Sequence, residues 1–389
     1  MIVDIIVIVI LIVALIAGLQ RGLLTGLGSI LGLIAGGIAA FWLMPLVSGW
    51  VPWQGWRTVA VIVVGVALLA LGLTIGEGIG ALMRRGVDRT RLRGVERLLG
   101  GVVNVVAAAL TLMLVAPTVA SVTPPAVSTS IASSRVLQEL DRLTPAPVSG
   151  LMAQVRTAVL SGGVPELRLL LDSGTTTLEP PVPLDDPDLQ AAAASVARIS
   201  GIAYACGVGS SGTGFVIAPD RVVTNAHVVA GVDTPIVELP NRSAREGRIV
   251  YFDPIDDLAV IAVDDLHGTP LKVAPVLPAG AAAAIEGYPY GGPFRSVTAG
   301  VLSVGTVQVP DIYDRSSAPR DVYSLDAQVV PGNSGGPLLA EDGTVVGVVF
   351  ARGTDQADRG YAMTSTELTP VVDRAERMDD SVASGQCAG

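Results

Sequence analysis

Three short motifs carry residue types that acyl-transfer chemistry requires. Thr224-Asn225-Ala226-His227-Val228-Val229 sets a histidine at the end of an apolar run. Asp257-Leu258-Ala259-Val260 sets an aspartate at the start of another. Pro331-Gly332-Asn333-Ser334-Gly335-Gly336-Pro337 sets a serine among glycines. A serine hydroxyl is a poor nucleophile at its free pKa and needs an adjacent base. Histidine suits that role because its pKa lies near neutral pH. A buried carboxylate must then fix the imidazole tautomer and stabilise the imidazolium. The expected roles are His227 as base, Asp257 as carboxylate and Ser334 as nucleophile. The backbone N–H groups of Gly332 and Ser334, with Asn333 between them, would form an oxyanion hole. Glycine at 332 leaves φ unrestricted, so the turn can aim its N–H inward.

Each role has a competitor. The chain has two histidines, and the other, His267, falls in the turn Asp265-Leu266-His267-Gly268-Thr269-Pro270, where exposure is expected. His227 taken alone would read better as a core histidine. Asp253 and Asp256 stand close enough in sequence to compete with Asp257. Two histidines and two distant cysteines lack metal-ligand spacing. No phosphate-cradling glycine loop of the P-loop kind is present. No metal and no cofactor is therefore expected.

These residues must be held by β-structure. From about Val196 onward, short apolar runs alternate with Gly, Pro and Asp turns, the pattern of strands. The expected strands are 214–218, 221–225, 235–239, 246–252 and 258–263. A second set covers 282–287, 296–309, 322–328, 337–340, 345–351 and 360–363. Two groups of about six predict two small barrels, an all-β double barrel. A closing helix starts near Thr364, with Thr364 and Glu367 as a capping box. Leu368, Val371, Val372 and Ala375 give that helix its apolar face.

The rest of the chain is unlike this half. Half of all residues are hydrophobic and 15% are charged. The excess sits in the first 120 residues, where stretches 2–19, 23–47, 58–83 and 98–120 are each long enough to span a bilayer. A four-helix transmembrane domain is expected over 1–120. The first stretch opens with Asp4 and has no basic lead or cleavage site, so it is read as retained. Arg84, Arg85, Arg89, Arg91, Arg93 and Arg97 mark a cytoplasmic loop by the positive-inside rule. Trp50, Trp53 and Trp56 mark the outer interface. Both termini then lie outside the cytoplasm. Glycines at Gly28, Gly32, Gly36 and at Gly72, Gly76, Gly80 let helices pack closely, within one chain rather than between chains. Glu77 lies near the inner end, close to Arg84 and Arg85, and is expected to snorkel or pair there.

Residues 121–195 read as short surface helices and a Pro/Asp-rich linker at 179–188, a candidate site for self-cleavage. One apolar stripe is Val136, Leu137, Leu140 and Leu143; another is Met152, Val155, Val159 and Leu160. The whole net charge of −10 falls on the half from Arg198 onward. That acidity disfavours nucleic acid as a partner. Cys206 and Cys387 are the two cysteines. They read as a clasp in an oxidising compartment and as two buried thiols otherwise.

The three motifs, in the order histidine, aspartate, serine, resemble the chymotrypsin-like serine proteases, above all their HtrA/Deg branch. The run Gly212-Thr213-Gly214-Phe215-Val216 also looks like that branch. The resemblance covers roughly 196–378, so 196–389 is assigned as a trypsin-like protease domain. The membrane half looks like the colicin-V-production (CvpA-like) domain. Together they resemble a family of actinobacterial membrane proteases of acid resistance. The resemblance implies a serine endopeptidase tethered to the inner membrane, with its protease domain in the periplasm. It implies a Cys206–Cys387 disulfide, cell-envelope protein substrates and a part in acid or oxidative stress. Little chain follows Ser334, so a PDZ domain is not expected, and a monomeric protease domain is. By motif offset, the pocket for the residue before the cut draws on 328–331 and 349–353. Gln328 at its base predicts small or apolar residues there. Two other readings are a silent membrane sensor or scaffold, and a transport or toxin-production factor with an accessory protease.

Overall fold

The structure is a computed structural model that describes residues 2–32, 35–36, 39, 54–87, 93–120, 127, 130–131, 133–145, 148, 165–167, 176–203, 208–354 and 358–388. It divides into two compact units, Ile2–Met113 and Leu114–Gly389.

The first unit is helical: α1 (Ile2–Arg21), α2 (Gln54–Val87) and the start of α3 (Arg93–Ala120). Among the described residues, Ile2–Arg21 and Arg93–Met113 are long and apolar enough to cross a membrane, and Leu23–Gly32 is a shorter apolar helix. Part of the expected second span, 23–47, lies outside the described residues. The glycine rows do meet within the chain. A Cβ on Gly32 would lie 2.1 Å from the Gly72 carbonyl oxygen, and one on Gly28 would lie 2.3 Å from that of Gly76. Only hydrogen side chains permit that approach. Glu77 pairs with Arg21 at 3.1 Å. Arg84 faces Glu96 at 3.7 Å, which also accepts from Leu24 N–H.

The second unit opens with α4 (Arg135–Leu143), capped by the Ser134 hydroxyl, on the first apolar stripe. The second stripe, 152–160, lies outside the described residues. Next come β1 (Glu166–Leu167) and α5 (Pro187–Ala193). One sheet then contains β2 (Val196–Ala203), β3 (Val208–Ala218), β4 (Arg221–Thr224), β5 (Ile236–Glu238), β6 (Arg245–Glu246), β7 (Arg248–Asp253) and β8 (Leu258–Ala262). A four-residue helix, α6 (Ala226–Val229), interrupts it. The strand order is β6-β5-β2-β3-β4-β8-β7. Its two edge strands are separated in sequence by Gly247 alone, so the sheet bends round on itself. The expected strand 246–252 is broken there, where Gly247 N–H turns aside to the Pro235 carbonyl.

The other sheet contains β9 (Ala282–Gly287), β10 (Arg295–Pro310), β11 (Ser317–Asp326), β12 (Pro337–Leu339), β13 (Val345–Gly353) and β14 (Arg359–Thr364). The order β1-β13-β12-β9-β10-β11-β14, with β13 also pairing β14, closes six of these strands into a ring and leaves β1 as an addition. The helix α7 (Ser365–Ala375) ends the fold. Thr364 caps it as expected, but Glu367 reaches across to Asp321 N–H at 2.8 Å instead of completing a box. Phe215, Val223, Leu258 and Val260 of the first sheet share one core with Val348, Phe350 and Met363 of the second. Burial of that apolar surface, at about 25 cal/mol per Å², is what fixes the sheets against each other.

Candidate active site

His227 and Asp257 are brought together by neighbouring strands of the first sheet. β4 leads into α6, and Thr224 at its end pairs with Ala259 of β8. Asp257 immediately precedes β8 and has φ of 54°, a left-handed conformation that aspartate tolerates better than most residues. The Asp253 carboxylate makes the preceding turn by accepting Ile255 N–H at 2.8 Å and Asp256 N–H at 3.1 Å. Asn225 donates to the Asp257 carbonyl at 2.8 Å. The Asp257 carboxylate then accepts His227 N–H at 2.9 Å. His227 Nδ1 lies 3.0 Å from Oδ1 and 2.8 Å from Oδ2 of the same carboxylate. An ionised carboxylate only accepts, so Nδ1 carries the proton and Nε2 presents a lone pair. Of the three competing aspartates, Asp257 is therefore the partner. Asp253 is spent on the turn, and desolvation raises the pKa of Asp256. His267 is exposed in its turn, far from this chemistry in role.

The nucleophile loop joins β11 to β12. Gly332 has φ of 95°, and a Cβ there would stand 2.2 Å from the Tyr288 carbonyl oxygen. Both facts demand glycine. Asn333 N–H turns back to the Val330 carbonyl at 3.0 Å, and Gly335 N–H donates to Val349 at 2.8 Å. The N–H groups of Gly332 and Ser334 take part in none of these bonds. Ser334 is buried, and neither its Oγ nor His227 Nε2 has a hydrogen-bond partner among the described residues. The third bond of the constellation is thus not made. The two parts nevertheless meet across β3. A Cβ on Gly212 would touch Val228 Cγ1 at 2.6 Å and the Ser334 carbonyl oxygen at 3.1 Å. Catalytic hydrogen bonds in unliganded enzymes are often long and tighten only on substrate binding.

One fully buried residue binds several parts of this site. Thr213 N–H donates to the Ser334 carbonyl at 2.8 Å, and its Oγ1 donates to the Gly332 carbonyl at 2.6 Å. The same Oγ1 accepts Tyr288 N–H at 3.0 Å, and its carbonyl accepts the Thr224 hydroxyl at 2.7 Å. Nucleophile loop, oxyanion turn and the strand leading to His227 thus converge on one side chain and its peptide. Sequence reasoning named Thr213 only within the run 212–216 that resembles the HtrA/Deg branch. The signal available was a hydroxyl between two glycines, Gly212 and Gly214, in an otherwise apolar run. A second buried polar group, Glu286, donates nothing to this network. Burial pushes its carboxyl up to about 7, and its Oε1 accepts the Ser296 hydroxyl at 3.2 Å.

The trypsin-like peptidase domain profile matches residues 212–348, a span that includes all three motifs. The Colicin V production protein profile matches residues 3–145. The serine protease Rv3671c of Mycobacterium tuberculosis (strain H37Rv) is 35% identical over 295 residues, covering 73% of this chain and 73% of its own. The chain belongs to the Rv3671c family of serine proteases. The crystal structure of the M. tuberculosis protease in its active form matches with a TM-score of 0.53 at 35% identity, covering 57% of this chain and 99% of that one. A probable DegP-like periplasmic serine endoprotease of Pseudomonas fulva is 35% identical over 171 residues, 42% of this chain and 34% of its own. This member of the Rv3671c family is a serine endopeptidase with a chymotrypsin/HtrA-like fold.

Two further expectations concern the edges of the site. Cys387 is disulfide-bonded. Its expected partner Cys206 lies outside the described residues. Gln328 is exposed, and Val349 of β13 bonds Gly335 and Gly336 beside Ser334.

Proposed function

We propose that this member of the Rv3671c family is a multi-pass inner-membrane endopeptidase whose protease domain works outside the cytoplasm on cell-envelope proteins. His227, Asp257 and Ser334 are its catalytic residues. The observation that carries the assignment is the contact of Nδ1 with both Asp257 carboxylate oxygens, which leaves Nε2 free as a base. In the reaction, Nε2 takes the Ser334 proton as Oγ attacks the scissile carbonyl carbon. The N–H groups of Gly332 and Ser334 stabilise the oxyanion. The imidazolium returns its proton to the leaving amine as the C–N bond breaks. Water, deprotonated by His227, then attacks the acyl carbon, and the imidazolium returns that proton to Ser334 Oγ as the ester C–O bond breaks. Membrane tethering is supported by the apolar N-terminal helices and the Colicin V profile. The orientation rests on the arginine-rich stretch around 84–97. A role in acid or oxidative stress and a monomeric protease domain complete the reading.

The test is fluorophosphonate labelling of the full chain in membranes. Labelling is expected on Ser334, absent in Ser334→Ala and strongly reduced in His227→Ala. An unlabelled wild type across pH and redox conditions would refute the catalytic assignment. Comparing the envelope proteome of wild-type cells with that of Ser334→Ala cells would identify the substrates.

A further inference from the structure

β13 carries the nucleophile loop on one edge and then outruns it. Its pairing with β12 reaches Val348, opposite Pro337. Gly335 N–H and Gly336 carbonyl then bind Val349 at 2.8 and 2.9 Å. Beyond Val349 the chain of β12 has turned away into the Ser334 loop, so among the described residues no barrel strand covers this edge. On the opposite edge, the register with β14 shifts between Val349 and Ala351. Such a bulge re-aims the strand that follows. An uncovered edge beside a nucleophile is where an extended peptide adds as a strand.

The protein itself occupies that edge. β1 pairs there in parallel, with Glu166 opposite Arg352 and Leu167 opposite Gly353. Arg352 N–H donates to the Pro165 carbonyl at 3.1 Å, and Thr354 N–H donates to the Leu167 carbonyl at 3.3 Å. The Arg352 guanidinium pairs with the Glu166 carboxylate. Leu167 packs against the shared core. The ion pair in this attachment is solvent-exposed, and exposed pairs contribute little. The attachment is specific all the same, because guanidinium and carboxylate match in shape and charge.

We propose that the 165–167 segment competes with peptide substrate for this edge, and that Arg352 selects a carboxylate side chain in the substrate that displaces it. The segment is a built-in competitor, and its glutamate reports what the edge recognises. The proposal rests on the reading of Ser334 as nucleophile.

The experiment uses the full chain and two extended fluorogenic peptides that differ by glutamate or glutamine on the N-terminal side of the cut. Glu166→Lys is expected to lower KM about threefold for both peptides, with kcat unchanged. Its fluorophosphonate labelling rate should equal that of wild type, because so small a probe does not need the edge. Wild type should favour the glutamate peptide about threefold in kcat/KM, and Arg352→Gln should abolish that preference. An unchanged KM in Glu166→Lys, or a labelling rate that moves with KM, overturns the competition. A glutamate preference that survives Arg352→Gln overturns the selection. Loss of labelling in every protein, wild type included, overturns the hydrolase assignment itself and this proposal with it.

Discussion

The two parts of the active site are held in opposite ways. The His227–Asp257 part is closed within the first sheet, through the Thr224–Ala259 pairing, Asn225 and the carboxylate contacts. The Ser334 part belongs to the second sheet, where Gly335 N–H and the Gly336 carbonyl bind Val349, yet its Gly332 and Ser334 carbonyls accept from Thr213 of the first sheet. One part is built locally and complete. The other is assembled across two sheets, and its link to the base is unmade. Substitutions in the first part should change protonation chemistry, whereas those in the second should change geometry.

The largest effect should come from the closed part. Asp257→Asn preserves the shape but no longer accepts both contacts, so the imidazole takes the wrong tautomer. A fall in kcat of about 10⁴ is expected for peptide hydrolysis, with KM little altered. A loss below tenfold would mean that the carboxylate is not orienting the base. Next comes the oxyanion turn. Gly332→Ala places a Cβ against the Tyr288 carbonyl at a φ that alanine resists. Moving that N–H should cost about 10²–10³ in the labelling rate of Ser334. The clamp should matter less. Thr213→Val loses the hydroxyl bonds to Gly332 and Tyr288 but keeps the backbone bond to Ser334. A drop of about tenfold in kcat at constant KM is expected, with Thr213→Ser close to wild type. If serine fails to rescue, packing rather than the hydroxyl sets the loop.

The smallest effect should be on stability alone. Burial raises the Glu286 carboxyl from 4.5 to about 7, so the fold favours its neutral form. That contribution is full below about pH 4.5 and is lost as pH rises through about 7. Glu286→Gln is neutral at every pH. Its Tm should match wild type near pH 4 and exceed it by a few degrees near pH 8. Equal melting curves at both pH values would show that Glu286 ionises without cost.

The strands were legible where a short apolar run is bounded by turn residues, as in 282–287 and 258–263. β2 and the first part of β3 were not, because the Ser/Gly run before Phe215 carries no such pattern. The capping box at Thr364 was half legible. Its glutamate had a better use in Asp321 N–H, which only the packing of α7 on β11 supplies. Glu77 likewise had several arginines within reach in sequence and found Arg21 in space.

The sequence by itself determined the chemistry, since a hydroxyl, an imidazole and a carboxylate are properties of residue types and their immediate neighbours. It also determined that Gly332 must be free to turn. Only the tertiary structure decided that Asp257, rather than Asp253 or Asp256, faces His227. The same is true of the four bonds gathered by Thr213 and of the self-pairing along β13. Each of these depends on distances between atoms far apart in the chain, which composition and spacing do not encode.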